Sequence, residues 1–163
     1  MLHLFSSFPN ESDSTFTGLW YPTKAESERL PDALIIGVRK AGTGALRFLL
    51  SVHPDIVAAT KELRFFNKES LYSLNLTHYI NMLPRKKRQD QILLEKTPAY
   101  YFNPRAPERI RAAVPNVKML LVVRNPVTRM MSEYVHYDVV NTNSDAKIKP
   151  FEVSCSMQGH GQP

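Results

Sequence analysis

The stretch Leu34–Leu50, LIIGVRKAGTGALRFLL, decides the fold. It opens in an apolar run, Ala33–Ile36, of a length that suits a buried strand. The run breaks at Gly37, passes two adjacent cations, Arg39 and Lys40, and reaches Gly42, Thr43 and Gly44. An apolar period then starts at Ala45, with Leu46, Leu49 and Leu50 at i, i+3 and i+4 and so on one helix face. Strand, glycine-bearing turn and helix start together make an anion cradle. The first N–H groups of the helix point into the turn, and the helix dipole favours negative charge there. Glycine lets the backbone approach a ligand closely, Lys40 adds a point charge, and the Thr43 hydroxyl can bond a phosphate oxygen. An ordinary strand-to-helix turn with two solvated cations would carry the same letters.

The general motif nearest to this stretch is the nucleotide P-loop, G-x-x-x-x-G-K-[ST]. Gly37 and Gly42 keep its spacing, but Thr43 stands where its lysine belongs and the lysine lies inside the loop at position 40. This argues against an ATPase or GTPase and for a different phosphorylated nucleotide.

Outward from the loop, the chain alternates short apolar runs with helical segments. Ile56–Ala59, Ile92–Leu94 and Lys118–Val123 read as further strands, the last apolar on both faces as a central parallel strand should be. Helices are expected over Leu71–Met82, Pro107–Val114 and Pro126–Val139, two of them with proline at an early position. The fold class is therefore α/β, a parallel sheet with helices on both faces. Charged residues gather where strands end, and the active sites of open α/β sheets lie off the carboxyl ends of their strands. Glu62 follows the second strand, within Thr60–Asn67. There Phe65 and Phe66 would anchor the loop in the core while the charges face water. Lys96 closes the third strand, and Arg124, with Ser132 on the following helix, can be aimed at a second anion.

Composition narrows the class. With 43% hydrophobic and 22% charged residues in 163, the chain suits one globular domain with a real core. A formal charge of +6 favours a polyanionic partner without naming it. The single Cys155 cannot form an internal disulfide, no run reaches transmembrane length, and no metal-ligand cluster is visible. Arg85–Arg88 is four consecutive cations, more simply a solvated loop than a nucleic-acid signal. Residues 1–31 read as a leader of loop or disorder, too polar at the start for a secretory signal. Two glycosylation sequons begin at Asn10 and Asn75 and matter only in a luminal protein.

Five segments in order, PDALIIGVRKAGTGAL, KELRFFN, LLEKTPAYYF, PERI and LLVVRNPVTRMMSEY, resemble the heparan sulfate glucosamine 3-O-sulfotransferases from about Pro31 to Val140. The resemblance implies a P-loop-like sulfotransferase fold, here incomplete. It implies 3′-phosphoadenosine 5′-phosphosulfate as donor, heparan sulfate or a related polyanionic glycosaminoglycan as partner, and neither metal nor nucleic acid. It places Arg39, Lys40, Ala41, Gly42, Thr43 and Gly44 on the 5′-phosphosulfate and Arg124 and Ser132 on the 3′-phosphate. Glu62 matches the family's proposed base, Lys40 its catalytic lysine, and Arg64 and Lys96 fall on the acceptor side. It also implies the Golgi lumen, with membrane attachment only through an anchor not present in this chain. Departures occur at Ala41 and Gly44, and at Arg64 and Asn67, where the family has His and Asp. The Asn resembles the heparan sulfate N-sulfotransferases, so N-sulfation stays as an alternative, and so does a non-catalytic fragment that binds nucleotide or polyanion. The expected layout is leader 1–31, N-terminal part of a sulfotransferase domain 32–152, and divergent tail 153–163. The family's later acceptor-binding segment, disulfide and further donor loop find no match, so weak or no activity is expected of a chain cut there.

Overall fold

A computed structural model describes residues 2–5 and 18–141, in which five strands form one sheet. In chain order these are β1 Leu2–Phe5, helix α1 Lys24–Ser27, β2 Ala33–Gly37, α2 Thr43–Ser51, β3 Ile56–Ala58, α3 Glu69–Tyr72, α4 Leu76–Met82, β4 Ile92–Lys96, α5 Ala106–Ala113, β5 Lys118–Val122 and α6 Pro126–Asn141. Two 3-10 turns, Phe65–Asn67 and Pro98–Phe102, follow β3 and β4. Strand order is β1-β5-β2-β4-β3. β2 pairs in parallel with both β4 and β5, and β3 in parallel with β4. The chain divides into two compact units between Val123 and Arg124.

Strand alternation sorts the apolar residues onto the two faces of the sheet. Leu34, Leu93 and Met119 face Phe65, Phe66, Tyr79, Ile80, Tyr100 and Ile110, which come from the turns and from α4 and α5. Ala33, Ile35, Leu94 and Leu120 face Leu46 and Leu50 of α2. Helices on both faces of a largely parallel sheet are as expected from the strand-helix alternation. Phe65 and Phe66 are fully buried, as anchors of their loop should be. Phe65 stacks on Tyr79 with ring centroids 4.7 Å apart, and Phe66 meets Tyr100 edge-on at 5.5 Å.

The sequence expectations differ from the structure at three places. The leader is not wholly irregular. β1 pairs antiparallel with β5, Leu2 opposite Val122, so the sheet is mixed. α1 is closed by a capping box in which Thr23 and Glu26 satisfy each other's backbone N–H. Trp20 Nε1 also donates to the Tyr72 carbonyl at 2.9 Å. The strand pairing and the Trp20 bond are tertiary ties that no local period announces, whereas the capping box is local, spelled Thr23-x-x-Glu26. The helix expected over Leu71–Met82 is two helices, because Asn75 sits at φ 81° and its side chain accepts from the His78 N–H to start α4. The helix expected from Ala45 begins at Thr43, and Leu49 is turned outward. At about 100° per residue, Leu49 falls at the edge of the stripe made by Leu46 and Leu50. The cation run is a largely exposed loop that also acts as a clamp. Lys86 pairs with Asp32 at 2.7 Å, and Arg88 pairs with Asp55 and Asp90, so the run fastens the starts of β2, β3 and β4. The expected tail 153–163, with Cys155, and the sequon at Asn10 lie outside the described residues.

Candidate active site

β2 delivers the chain to the anion loop. Gly37 ends the strand against the turn that follows β4: a Cβ built there would lie 2.7 Å from Tyr101 Cβ and 3.2 Å from its Cγ. Neither atom is the far end of a flexible chain, so the backbones must part to admit a methyl group. Gly37→Ala is therefore expected to cost about 1–3 kcal/mol of stability, the range for overpacking. A urea titration that leaves the midpoint unchanged would show that the contact yields freely.

Beyond Gly37 the loop is closed by an Ala41 N–H to Val38 carbonyl bond of 3.2 Å. Lys40 at φ 64° and Gly42 at φ 99° give it a left-handed turn. Gly42 is the N-cap of α2, and its carbonyl takes the Leu46 N–H at 3.0 Å. The N–H groups of Thr43, Gly44 and Ala45 therefore come before the first intrahelical bond and are the orphan donors of the helix. Nothing lies within 4 Å of a Cβ built on Gly42 or Gly44, so both open onto space. Thr43 is buried, Lys40 half-buried and Arg39 exposed. Orphan donors, open space and two cations at a helix N-terminus fit a phosphate or sulfate group.

A second cluster is built by β3 and β4. In the parallel register Ala58 pairs with Leu94, so the chain leaves both strands at the same end. Glu62, beyond β3, meets Lys96, the last residue of β4, with Nζ to Oε1 at 2.7 Å. The Arg64 guanidinium donates to the other oxygen, Oε2, at 3.2 Å. Burial pushes the Glu62 carboxyl up, but the hydrogen bonds and charges of Lys96 and then Arg64 outweigh it, and the group is held below its ordinary value. Glu62 is thus an ionised carboxylate at neutral pH, gripped on both oxygens by cations. Lys96, expected to close its strand, does so with a side chain only 14% exposed.

Behind this pair lies a residue that the sequence does not single out. Glu95 has no exposed surface and accepts from the hydroxyls of Thr97 at 2.5 Å, Tyr79 at 3.0 Å and Tyr100 at 3.1 Å. Burial raises its carboxyl above the usual range against the pull of those hydroxyls. Its one signal in the sequence is position: two residues after Leu93, it belongs to the core-facing side of β4.

In the second unit, Arg124 is exposed, one residue before the Asn125 cap of α6, whose Oδ1 accepts from the Val127 and Thr128 N–H groups at 3.0 and 3.3 Å. Ser132 is half-buried on α6. The structure brings Glu62, Arg64 and Lys96 together and places Arg39–Gly44 in one loop. Among the described residues, no group of three or more His, Cys, Asp or Glu is placed to hold a metal ion.

The family described as "Sulfotransferase domain" matches residues 30–162. The chain belongs to the sulfotransferase domain family. The chain is 46% identical over 106 residues to heparan sulfate glucosamine 3-O-sulfotransferase 6 of Homo sapiens, covering 65% of this chain and 30% of that one. It is 43% identical over 126 residues to heparan sulfate glucosamine 3-O-sulfotransferase 3B1 of Mus musculus, covering 77% and 30%. The chain thus spans about a third of the length of these sulfotransferases. A crystal structure of a sulfotransferase from Alicyclobacillus acidocaldarius superposes with a TM-score of 0.64 at 26% identity, over 82% of this chain and 61% of that one.

Proposed function

We propose that residues 32–152 form the N-terminal part of a sulfotransferase domain that moves a sulfuryl group from 3′-phosphoadenosine 5′-phosphosulfate to the 3-hydroxyl of glucosamine in heparan sulfate. The observation that carries this is the Glu62 carboxylate, ionised between Lys96 and Arg64, in a chain more than 40% identical to named 3-O-sulfotransferases. Arg39–Gly44 and the N-terminus of α2 receive the 5′-phosphosulfate, and Arg124 and Ser132 the 3′-phosphate. Glu62 takes the proton of the acceptor hydroxyl while the acceptor oxygen bonds to sulfur. The bond from sulfur to the bridging oxygen of the donor breaks, and Lys40 stabilises the charge left on that oxygen. A carboxylate held low is a weak base, and it suffices. In a loose in-line displacement the acceptor oxygen sheds its proton late, once bonding to sulfur has made it acidic. Lys96 and Arg64 set the carboxylate's direction, and their remaining donors are suited to the acceptor's sulfates and carboxylates.

The test is transfer of labelled sulfate from the nucleotide to partly N-desulfated heparan sulfate, which offers both N-sulfated and free-amine glucosamine, followed by disaccharide analysis. Label on the 3-oxygen supports the reading. Label on nitrogen replaces it with N-sulfation, and nucleotide binding without transfer replaces it with a binding fragment.

The same reading puts the protein in the Golgi lumen, reached by the secretory route, along which a sequon acquires its glycan. No helix among the described residues is long and apolar enough to cross a membrane. Asn75 is exposed, and its Oδ1 is committed to the His78 N–H, which leaves the amide nitrogen to carry a sugar. Protein secreted from animal cells should lose mass on peptide-N-glycosidase treatment, and Asn75→Gln should remove one glycan's worth of that change. An unaltered glycan count in the variant would exclude Asn75.

A further inference from the structure

We infer that Glu95 is a positioning residue that fixes, through the backbone, where Glu62 meets Lys96. The inference rests on the catalytic reading of Glu62 above and extends it to a buried group that touches no substrate. β4 points Glu95 and Lys96 to opposite faces of the sheet, so anchoring one sets the other. The Glu95 carboxyl is anchored by three hydroxyls from three places: Thr97 beside it, Tyr100 in the turn after β4 and Tyr79 on α4.

The same carboxyl also holds the loop that carries Glu62. The Thr97 hydroxyl donates to Glu95, and its oxygen in turn accepts the Arg64 backbone N–H at 3.2 Å. The Leu63 backbone N–H also favours the charged form of Glu95, though less than the three hydroxyls do. The Arg64 amide, two residues after Glu62, is therefore tied through one hydroxyl to the residue immediately before Lys96. Arg64 sits at φ 55°, a conformation that a side chain rarely adopts unaided, and its side-chain donors end on Glu62. A buried carboxylate is a costly way to fill a core. Its use here is register: it locks the Glu62 loop to the end of β4.

Two variants test this in the full chain, with folding checked by thermal melting. Glu95→Gln keeps the shape but puts two donors where the three hydroxyls need an acceptor. Thr97→Val removes only the hydroxyl that links Glu95 to Arg64, and Thr97→Ser restores it. Glu95→Gln and Thr97→Val should lower kcat about 10- to 100-fold, the scale of a small misplacement of a reacting group, with KM for the nucleotide within about twofold. Thr97→Ser should recover most of the loss. A second readout needs no turnover. In a 13C-NMR titration the Glu62 carboxyl, identified by its absence in Glu62→Gln, should titrate at higher pH in Glu95→Gln and Thr97→Val, because Lys96 and Arg64 no longer hold it low. If the wild-type chain transfers no sulfate but the titration moves, the function reading fails and the positioning survives. If both variants are folded and Glu62 titrates as in the wild type, the positioning inference is overturned. If Glu95→Gln does not fold, the Thr97 pair decides.

Discussion

Glu62→Gln is expected to lower kcat for sulfate transfer by about 10²–10⁴-fold, the usual contribution of a positioned general base. Gln keeps the size of the side chain and an oxygen for Lys96 Nζ, which lies 2.7 Å from Glu62 Oε1. It cannot take a proton, and its amide donors face the Arg64 guanidinium. The phosphosulfate loop is on other elements, so nucleotide KM should stay within about twofold, the signature of an interaction made only in the transition state. An unchanged kcat in a folded variant would remove Glu62 from the chemistry. The pH dependence carries the same sign. A carboxyl held below its ordinary value stays ionised as pH falls through the usual glutamate range. Activity should then persist below that range and be lost only as pH drops through the lowered value. The contribution of the pair to stability follows the same course: present above the unfolded-state value, lost through the folded one. Lys96→Ala removes the strongest of the opposing pulls on Glu62, so the acid limb of the rate profile should move to higher pH even as the rate falls.

Four of the five strands were legible because their apolar runs are short and bounded by breakers. Ala33–Gly37 and Lys118–Val122 are close to what hydrophobic runs alone imply. β1 was not legible, since LHLF becomes a strand only through its antiparallel pairing with β5. The break between α3 and α4 depends on Asn75 at φ 81°, a backbone choice that a helical period cannot show. Glu62 and Lys96 could each be placed at a strand end from sequence. Their salt bridge could not, because it needs the register that sets Ala58 against Leu94. Arg64 was expected on the acceptor side, and the structure adds a role the letters do not carry, a donor to Glu62. Glu95 was hidden by its own neighbours. Standing beside Lys96, it looks like one half of a solvated charge pair, and only the tyrosines brought from α4 and the following turn reveal a buried acceptor.

Lys40→Ala should also all but abolish transfer, and comparison with Gly42→Ala separates charge from loop shape. Lys40 sits at φ 64°, and Ala carries the same Cβ, so the substitution adds no backbone strain. What it removes is the cation placed to meet charge on the departing oxygen. Loss of one such group costs about 10²–10³-fold in kcat. Nucleotide affinity should fall less, because the orphan N–H donors at Thr43–Ala45 and the cation of Arg39 remain to hold the phosphosulfate. Gly42→Ala does the reverse. No atom lies within 4 Å of its new Cβ, yet φ 99° becomes a strained conformation for an L side chain, so the loop itself should shift. That variant should lose about 1–2 kcal/mol of stability and weaken nucleotide binding together with turnover. The two variants therefore predict opposite patterns: turnover without affinity for Lys40, affinity along with turnover for Gly42. Isothermal titration with 3′-phosphoadenosine 5′-phosphate beside steady-state rates would read both. If Lys40→Ala weakens binding as much as it slows transfer, the lysine is a ground-state anchor, and the charge on the leaving oxygen must be met by another group.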